Sequence, residues 1–148
     1  MRSAIVRTPI DPAALLAEVT APRHGAWVLF VGTVRDINDA RDVTGIDYSA
    51  YEPMAARELD SIVAEAAERW NDVDIVAEHR VGTLTLGEIS IAIAAAHPHR
   101  DEAFSAASFM IEEVKKRVPI WKREHYVDGT RAWVEAHPSA PQHAESSL

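Results

Sequence analysis

Between Glu88 and Glu124 the sequence changes its period twice, and no other stretch constrains the fold as much. "EISIAIAAA" (88–96) is an apolar run of strand length. "DEAFSAASFMIEEVKKR" (101–117) then spaces its apolar residues as a helix does, with Ala103, Ala107, Met110, Ile111 and Val114 on one stripe. Pro119 stops that helix, because the residue before a proline disfavours helical backbone. "IWKREHYV" resumes as a strand, and "TRAWVEA" follows it around Asp128-Gly129, a hairpin signal. A chain that runs strand, helix, strand and then doubles back needs a sheet covered by helices and antiparallel neighbours as well.

The rest of the chain agrees. "SAIVRT" (3–8) suits an edge strand, and "DPAALLAEV" (11–19) a short helix with Asp11 as N-cap and Pro12 at the first helical position. "GAWVLFVGTVR" (25–35) predicts a buried strand, "DINDARD" (36–42) a polar loop, and "VTGIDYSAYE" (43–52) a strand pairing back as a hairpin. Pro53 opens a helix over 54–70, whose Leu59, Ile62, Val63, Ala66, Ala67 and Trp70 recur at helical spacing. "VDIVAEHRVG" (73–82) predicts another strand, joined to 88–96 by a turn-like "TLTLG". Strands are often adjacent rather than alternating with helices, which favours an α+β fold over a doubly wound parallel sheet. With 148 residues the expectation is one domain over 1–136, followed by a polar tail over 137–148.

Charge narrows the chemistry. The net charge is -8, yet "VKKRVPIWKRE" (114–124) holds five of the 15 Lys and Arg. Either a helix end carries favourable positive charge, or the cations line a pocket for an anion. Overall acidity argues against nucleic acid as a partner. No apolar run is long enough for a membrane span and no leader pattern is visible, so the cytoplasm is the expected location. The chain has no cysteine, which excludes disulfides, thiolate nucleophiles and Cys-based zinc sites.

Lys115 lies at the edge of the apolar stripe, on a face with Phe104, Ser108 and Ile111. There its ammonium is either partly desolvated, with a lowered pKa, or snorkels into water; spacing alone favours snorkelling. On a strand, Lys122 and Glu124 share one face, and Trp121, Arg123 and His125 the other. One helix end and one proline separate Lys115 from Lys122, so their ammonium groups have a route to converge. His99 and Arg100 stand where a strand end meets a helix N-terminus, a natural anion site, although Asp101 and Glu102 compete for its field. Arg35 follows a strand into a polar loop, positioned for a phosphate or for a surface ion pair. His97 and His99 have zinc-like spacing but no third ligand, so no metal is expected.

In order, "FVGTVRDIN", "YEPMAARELDSIVAEAAERW", "HRVGTLTLGEISIAIAAAHPHRDEAF" and "VKKRVPIWKRE" resemble the large, catalytic subunit of molybdopterin synthase, over about Gly25 to Ala136. The specific part is "KKRVPIWKRE" following the His-Arg-x-x-Ala-Phe pattern of "HRDEAF". The resemblance implies a hammerhead-like α/β arrangement with a small β-rich subdomain. It implies a homodimer at the core of a heterotetramer, with a small ubiquitin-like sulfur carrier at each end. The carrier's C-terminal Gly-Gly thiocarboxylate would deliver sulfur to cyclic pyranopterin monophosphate, forming the molybdopterin dithiolene, with no cofactor.

Residue by residue, Lys115 and Lys122 match the lysines assigned to catalysis in that family. Arg35, His99 and Arg100 match positions binding the substrate's phosphate and pterin, and Thr33 and Val34 come with Arg35 into the substrate-binding set. Lys122, Arg123 and Glu124 match its substrate-contacting "KRE". Thr33 stands where some relatives have lysine, and His137 follows "WVEA" where some have arginine. Such a site needs concentrated positive charge for a phosphate and a thiocarboxylate. Lys115 would move a proton at the pterin carbons and Lys122 would stabilise the thiocarboxylate or the departing oxygen, although the sequence does not divide the steps between them. The alternative is a non-catalytic module binding a phosphorylated small molecule.

Overall fold

The computed structural model describes residues 1–134; the polar tail over 137–148, with His137, lies outside the described residues. In chain order the elements are β1 (Arg2–Val6), α1 (Pro12–Val19), β2 (Ala26–Thr33), β3 (Ile37–Asn38), β4 (Arg41–Ala50), α2 (Glu52–Arg69), β5 (Asp74–Arg80), β6 (Gly82–Thr85), β7 (Ile89–His97), α3 (Arg100–Arg117), β8 (Ile120–Tyr126) and β9 (Arg131–Val134). They form a mixed α and β fold with two sheets.

The first sheet has the order β1-β5-β7-β2, with β1 parallel to β5 and the other pairs antiparallel. Side chains alternate across it. Ile75, Ala77, Ile91, Ile93 and Ala95 face α2 and α3, burying Leu59, Ile62, Ala66, Ala106, Met110 and Val114. Val76, Ala92, Ala94 and Ala96 face the other way, onto Leu15 and Val19 of α1. The run of small residues in β7 lets elements on both faces approach closely. Asp11 caps α1 as its sequence promises, accepting from the Ala13 and Ala14 N–H groups.

The second sheet is built on β4, which has β8 on one side and β6 on the other; β9 continues beyond β8, and β3 pairs the start of β4. Three expectations are corrected here. The 36–42 segment is a tight β3–β4 hairpin rather than a loop, turning through Asp39 (φ 49) and Ala40 (φ 63). "TLTLG" is mostly the strand β6, held because Leu84 is fully buried against Ile46, Val43 and Tyr126. And β2 is a half-buried edge strand with Trp27 exposed, while β4 pairs with β8 and β6 rather than turning back onto β2.

Gly82 is the joint between the sheets. Its φ of 111° lies in the left-handed region, where a side chain would be strained, and it turns the chain from β5 of one sheet into β6 of the other. The end of β5 is thereby set against β4 and β8, and the candidate site opens at that junction.

Candidate active site

Five elements enclose a cavity of about 220 Å³ where the sheets meet. Tyr48 comes from β4, His79 from β5, Ser90 and Ile91 from β7, Lys115 from the last turn of α3, and Lys122 from β8. Pro119 allows this, because α3 ends at Arg117, is capped by Val118, and gives way to β8 at Ile120, and the lysines flank that corner. The convergence of Lys115 and Lys122 is observed.

The desolvation falls on the other lysine. Lys115 is exposed, whereas Lys122 is half-buried. Burial pushes the Lys122 ammonium below the usual lysine range; the charge on Lys115 adds to the push, Glu124 opposes it, and Arg35 adds again. Burial likewise raises the Tyr48 phenol, with Ser90 opposing and Glu124 reinforcing.

Glu124 lies behind Lys122 and is 3% exposed. It accepts from Asn38 Nδ2 at 3.1 Å and from the Tyr126 hydroxyl at 2.9 Å, and Arg35 donates to Asn38 Oδ1 at 3.2 Å. Burial and that bond to Glu124 push Tyr126 up to about 12. Arg35, exposed itself, is thus tied through Asn38 to the Lys122 side of β8. Thr33 is exposed at the end of β2, beside a register shift.

Four expected residues sit elsewhere. Val34 is 2% exposed, its N–H donates to the Glu88 carbonyl and its own carbonyl accepts from Gly87, so its side chain and both backbone groups are engaged within the protein. Arg123 points to the opposite face of β8, where its Nε and Nη2 donate to Asp47 Oδ2 at 3.1 and 2.7 Å. Desolvation would raise Asp47, but bonds from His125, Arg123 and Thr83 outweigh it and hold the carboxyl at about 2. His99 and Arg100 begin α3, exposed beside a depression formed with Gly25, Pro98, Asp101 and Glu102. Fifteen residues of helix separate Arg100 from Lys115, roughly 22 Å along the axis. One protomer therefore does not bring these two groups to the same small ligand. His97 is committed to structure, with Nε2 on the Asn71 carbonyl at 2.8 Å and Nδ1 accepting from the His99 N–H at 3.0 Å.

His79, Tyr48 and Ser90 were not foreseen as site residues. The signal for His79 was present: positions 75, 77 and 79 share the inward face of β5, and a histidine there interrupts an apolar series. No group of three or more His, Cys, Asp or Glu among the described residues is arranged to hold a metal.

Residues 5–117 match the family model described as "MoaE protein". The chain is 42% identical over 130 residues to molybdopterin synthase catalytic subunit 1 of Mycobacterium tuberculosis (strain ATCC 25618 / H37Rv), covering 88% of each chain. It is 38% identical over 133 residues to the molybdopterin synthase catalytic subunit of Bacillus subtilis (strain 168), covering 90% of this chain and 84% of that one. The solved structure of molybdopterin synthase from Staphylococcus aureus superposes with a TM-score of 0.85 at 34% identity, over 89% of this chain and 96% of that one.

Proposed function

This chain belongs to the MoaE family of molybdopterin synthase catalytic subunits, and on that premise we propose how it performs its reaction. It is a sulfurtransferase of molybdenum cofactor biosynthesis, taking sulfur from the C-terminal thiocarboxylate of a small ubiquitin-like carrier to cyclic pyranopterin monophosphate. The observation that carries the site assignment is the meeting of Lys115 and Lys122 in one cavity, with Lys122 desolvated and its cation strengthened for an anion. Lys122 stabilises the thiocarboxylate and the charge that develops as sulfur adds. Lys115, at the solvent-facing lip, draws the anions in and supplies a proton. Arg35, whose charge reaches Lys122, meets the substrate's phosphate, and Thr33 lies two residues before it. Glu124 positions rather than binds, because its contacts to Asn38 and Tyr126 hold β8 and Arg35 in register.

His99 and Arg100 take part from a second protomer. The distance along α3 supports this division, and the homodimer of the resemblance supplies the second copy, with one carrier at each end of a heterotetramer. We read the first sheet with its helices as the hammerhead-like part and the sheet around β4 as the β-rich subdomain, both within one unit over 1–136. No helix among the described residues is long and apolar enough to cross a membrane; the reaction is assigned to the cytoplasm, without nucleic acid.

The test is a single-turnover assay with thiocarboxylated carrier and cyclic pyranopterin monophosphate, comparing wild type with Lys115→Ala. Dithiolene formed by wild type but not by a variant that still binds both partners supports the assignment. Pterin binding without sulfur transfer from any authentic carrier would make the protein a ligand-binding module instead.

A further inference from the structure

His79 lines this cavity, and the sulfur-transfer reading leaves its chemistry unused. It is 8% exposed at the end of β5, and its ring meets Tyr48 edge-on with centroids 5.4 Å apart. Nδ1 lies 2.9 Å from the Arg80 carbonyl, an acceptor, so Nδ1 carries the proton and Nε2 the lone pair. Among the described residues Nε2 has no hydrogen-bond partner, while the side chain lines the cavity. A lone pair that opens on the cavity without a protein partner can accept a hydrogen bond from water or from whatever enters.

The neighbouring groups cannot take that role. The charged facing groups are the ammoniums of Lys115 on α3 and Lys122 on β8, which in that form only donate. Tyr48 on β4 is held as a phenol, and Ser90 Oγ donates to the Gly32 carbonyl at 3.3 Å. We propose that His79 Nε2 is the proton acceptor for the water that releases the carrier protein from the transferred sulfur. This rests on the sulfur-transfer reading above and adds a catalytic residue to it.

The step follows from bond balance. Once the thiocarboxylate sulfur has bonded to a substrate carbon, it still holds the carrier's acyl carbon, so a thioester joins carrier and substrate. Water oxygen bonds to that acyl carbon and its proton passes to Nε2. The acyl carbon–sulfur bond breaks with its electron pair moving to sulfur, where the lysine charges stabilise it, and Nε2 returns the proton to sulfur or solvent. The carrier leaves as a carboxylic acid that gives its remaining proton to solvent and becomes an ordinary carboxylate, and neither oxidant nor reductant is consumed. Burial, opposed by the Arg80 carbonyl and reinforced by the two lysine charges, pushes the free imidazole down to about 4. It therefore stands unprotonated before substrate arrives. Anions bound at the lysines offset their charge, making Nε2 more basic when the step requires it.

The experiment follows carrier and substrate by intact mass during a single turnover, in wild type, His79→Gln and His79→Ala. His79→Gln should bind the carrier and form the covalent carrier–substrate adduct but release it at least ~100-fold more slowly. Added imidazole should speed release in His79→Ala. Release at the wild-type rate in His79→Gln overturns the inference. So does loss of transfer with no adduct and no imidazole rescue, which is what a merely structural histidine would give. Wild type transferring no sulfur defeats the sulfur-transfer reading itself, and this inference with it. If neither variant folds, wild-type release is followed from about pH 7 toward pH 4: a fall upholds the inference and a flat profile overturns it.

Discussion

The two faces of β8 carry neighbouring cations with opposite fates. On one face, Lys122 opens into a cavity beside Lys115, and its nearest carboxylate, Glu124, is held by Asn38 and Tyr126. On the other, Arg123 lies against Asp47, which also accepts from Thr83 and lies 2.8 Å from His125 Nε2. The basic cluster of an acidic chain is therefore not one feature. A cation whose neighbouring carboxylates are engaged elsewhere keeps its field for a ligand; one matched to a carboxylate builds the sheet.

The sharpest way to break this comparison is to truncate one cation on each face. Lys122→Ala should lower single-turnover sulfur transfer by roughly 10²–10³-fold, the usual cost of removing a group that stabilises developing charge. Arg123→Ala should leave transfer within a few-fold once the folded fraction is matched. The reverse ranking would place the site on the wrong face.

How far the sequence revealed this division depends on the residue. Alternation along "IWKREHY" already separates Lys122 and Glu124 from Arg123 and His125, and Pro119 already brings Lys115 near Lys122. The helical wheel cannot tell which lysine is desolvated, because that depends on how far the last turn of α3 projects past the sheet. Val34 entered the expected site by adjacency to Arg35, yet one step along an extended chain reverses the side chain and sends it into the core. His79 was missed because its partners come from four other elements. The β6 strand was missed because four residues between turn glycines carry too little period to show a strand.

Acid unfolding sharpens the comparison, since the two faces lose stability in different windows. His79, beside the cavity, has a folded pKa of about 4 against 6.5 in the unfolded chain. The unfolded state binds more protons between these values, so stability falls as pH drops from 6.5 toward 4. The loss is on the order of 3 kcal/mol. Asp47, on the paired face, is at about 2 when folded and 3.8 when unfolded. Its contribution is intact above 3.8 and disappears as pH falls through 2. Urea unfolding across pH should show both regions, with His79→Gln removing the upper slope and Asp47→Asn the lower. A single slope common to both variants would mean that the faces do not titrate independently.

At neutral pH, Asp47→Ala should cost about 1–3 kcal/mol, because Arg123 and Thr83 lose a shared acceptor in a partly buried place. Measured by urea unfolding, a cost near zero would mean that water satisfies those donors and that the opposite face is less closed than its contacts indicate.

The smallest effect concerns Arg117, two residues after Lys115 but on another side of α3. It donates to Glu58 and Glu65 of α2, at 2.7 and 2.5 Å, and to Glu113 of its own helix at 3.3 Å. If pairing decides a cation's role, Arg117→Ala should act on helix packing and leave the cavity untouched. The network lies near the surface, where water and salt screen charge, so the cost is about 1 kcal/mol or less despite its three carboxylates. A thermal melt at low and high salt checks this: the difference from wild type should shrink as salt rises, with sulfur transfer unchanged. A large loss of transfer from Arg117→Ala would show that the end of α3 responds as one charged unit, and that proximity in sequence, not pairing, sets what these cations do.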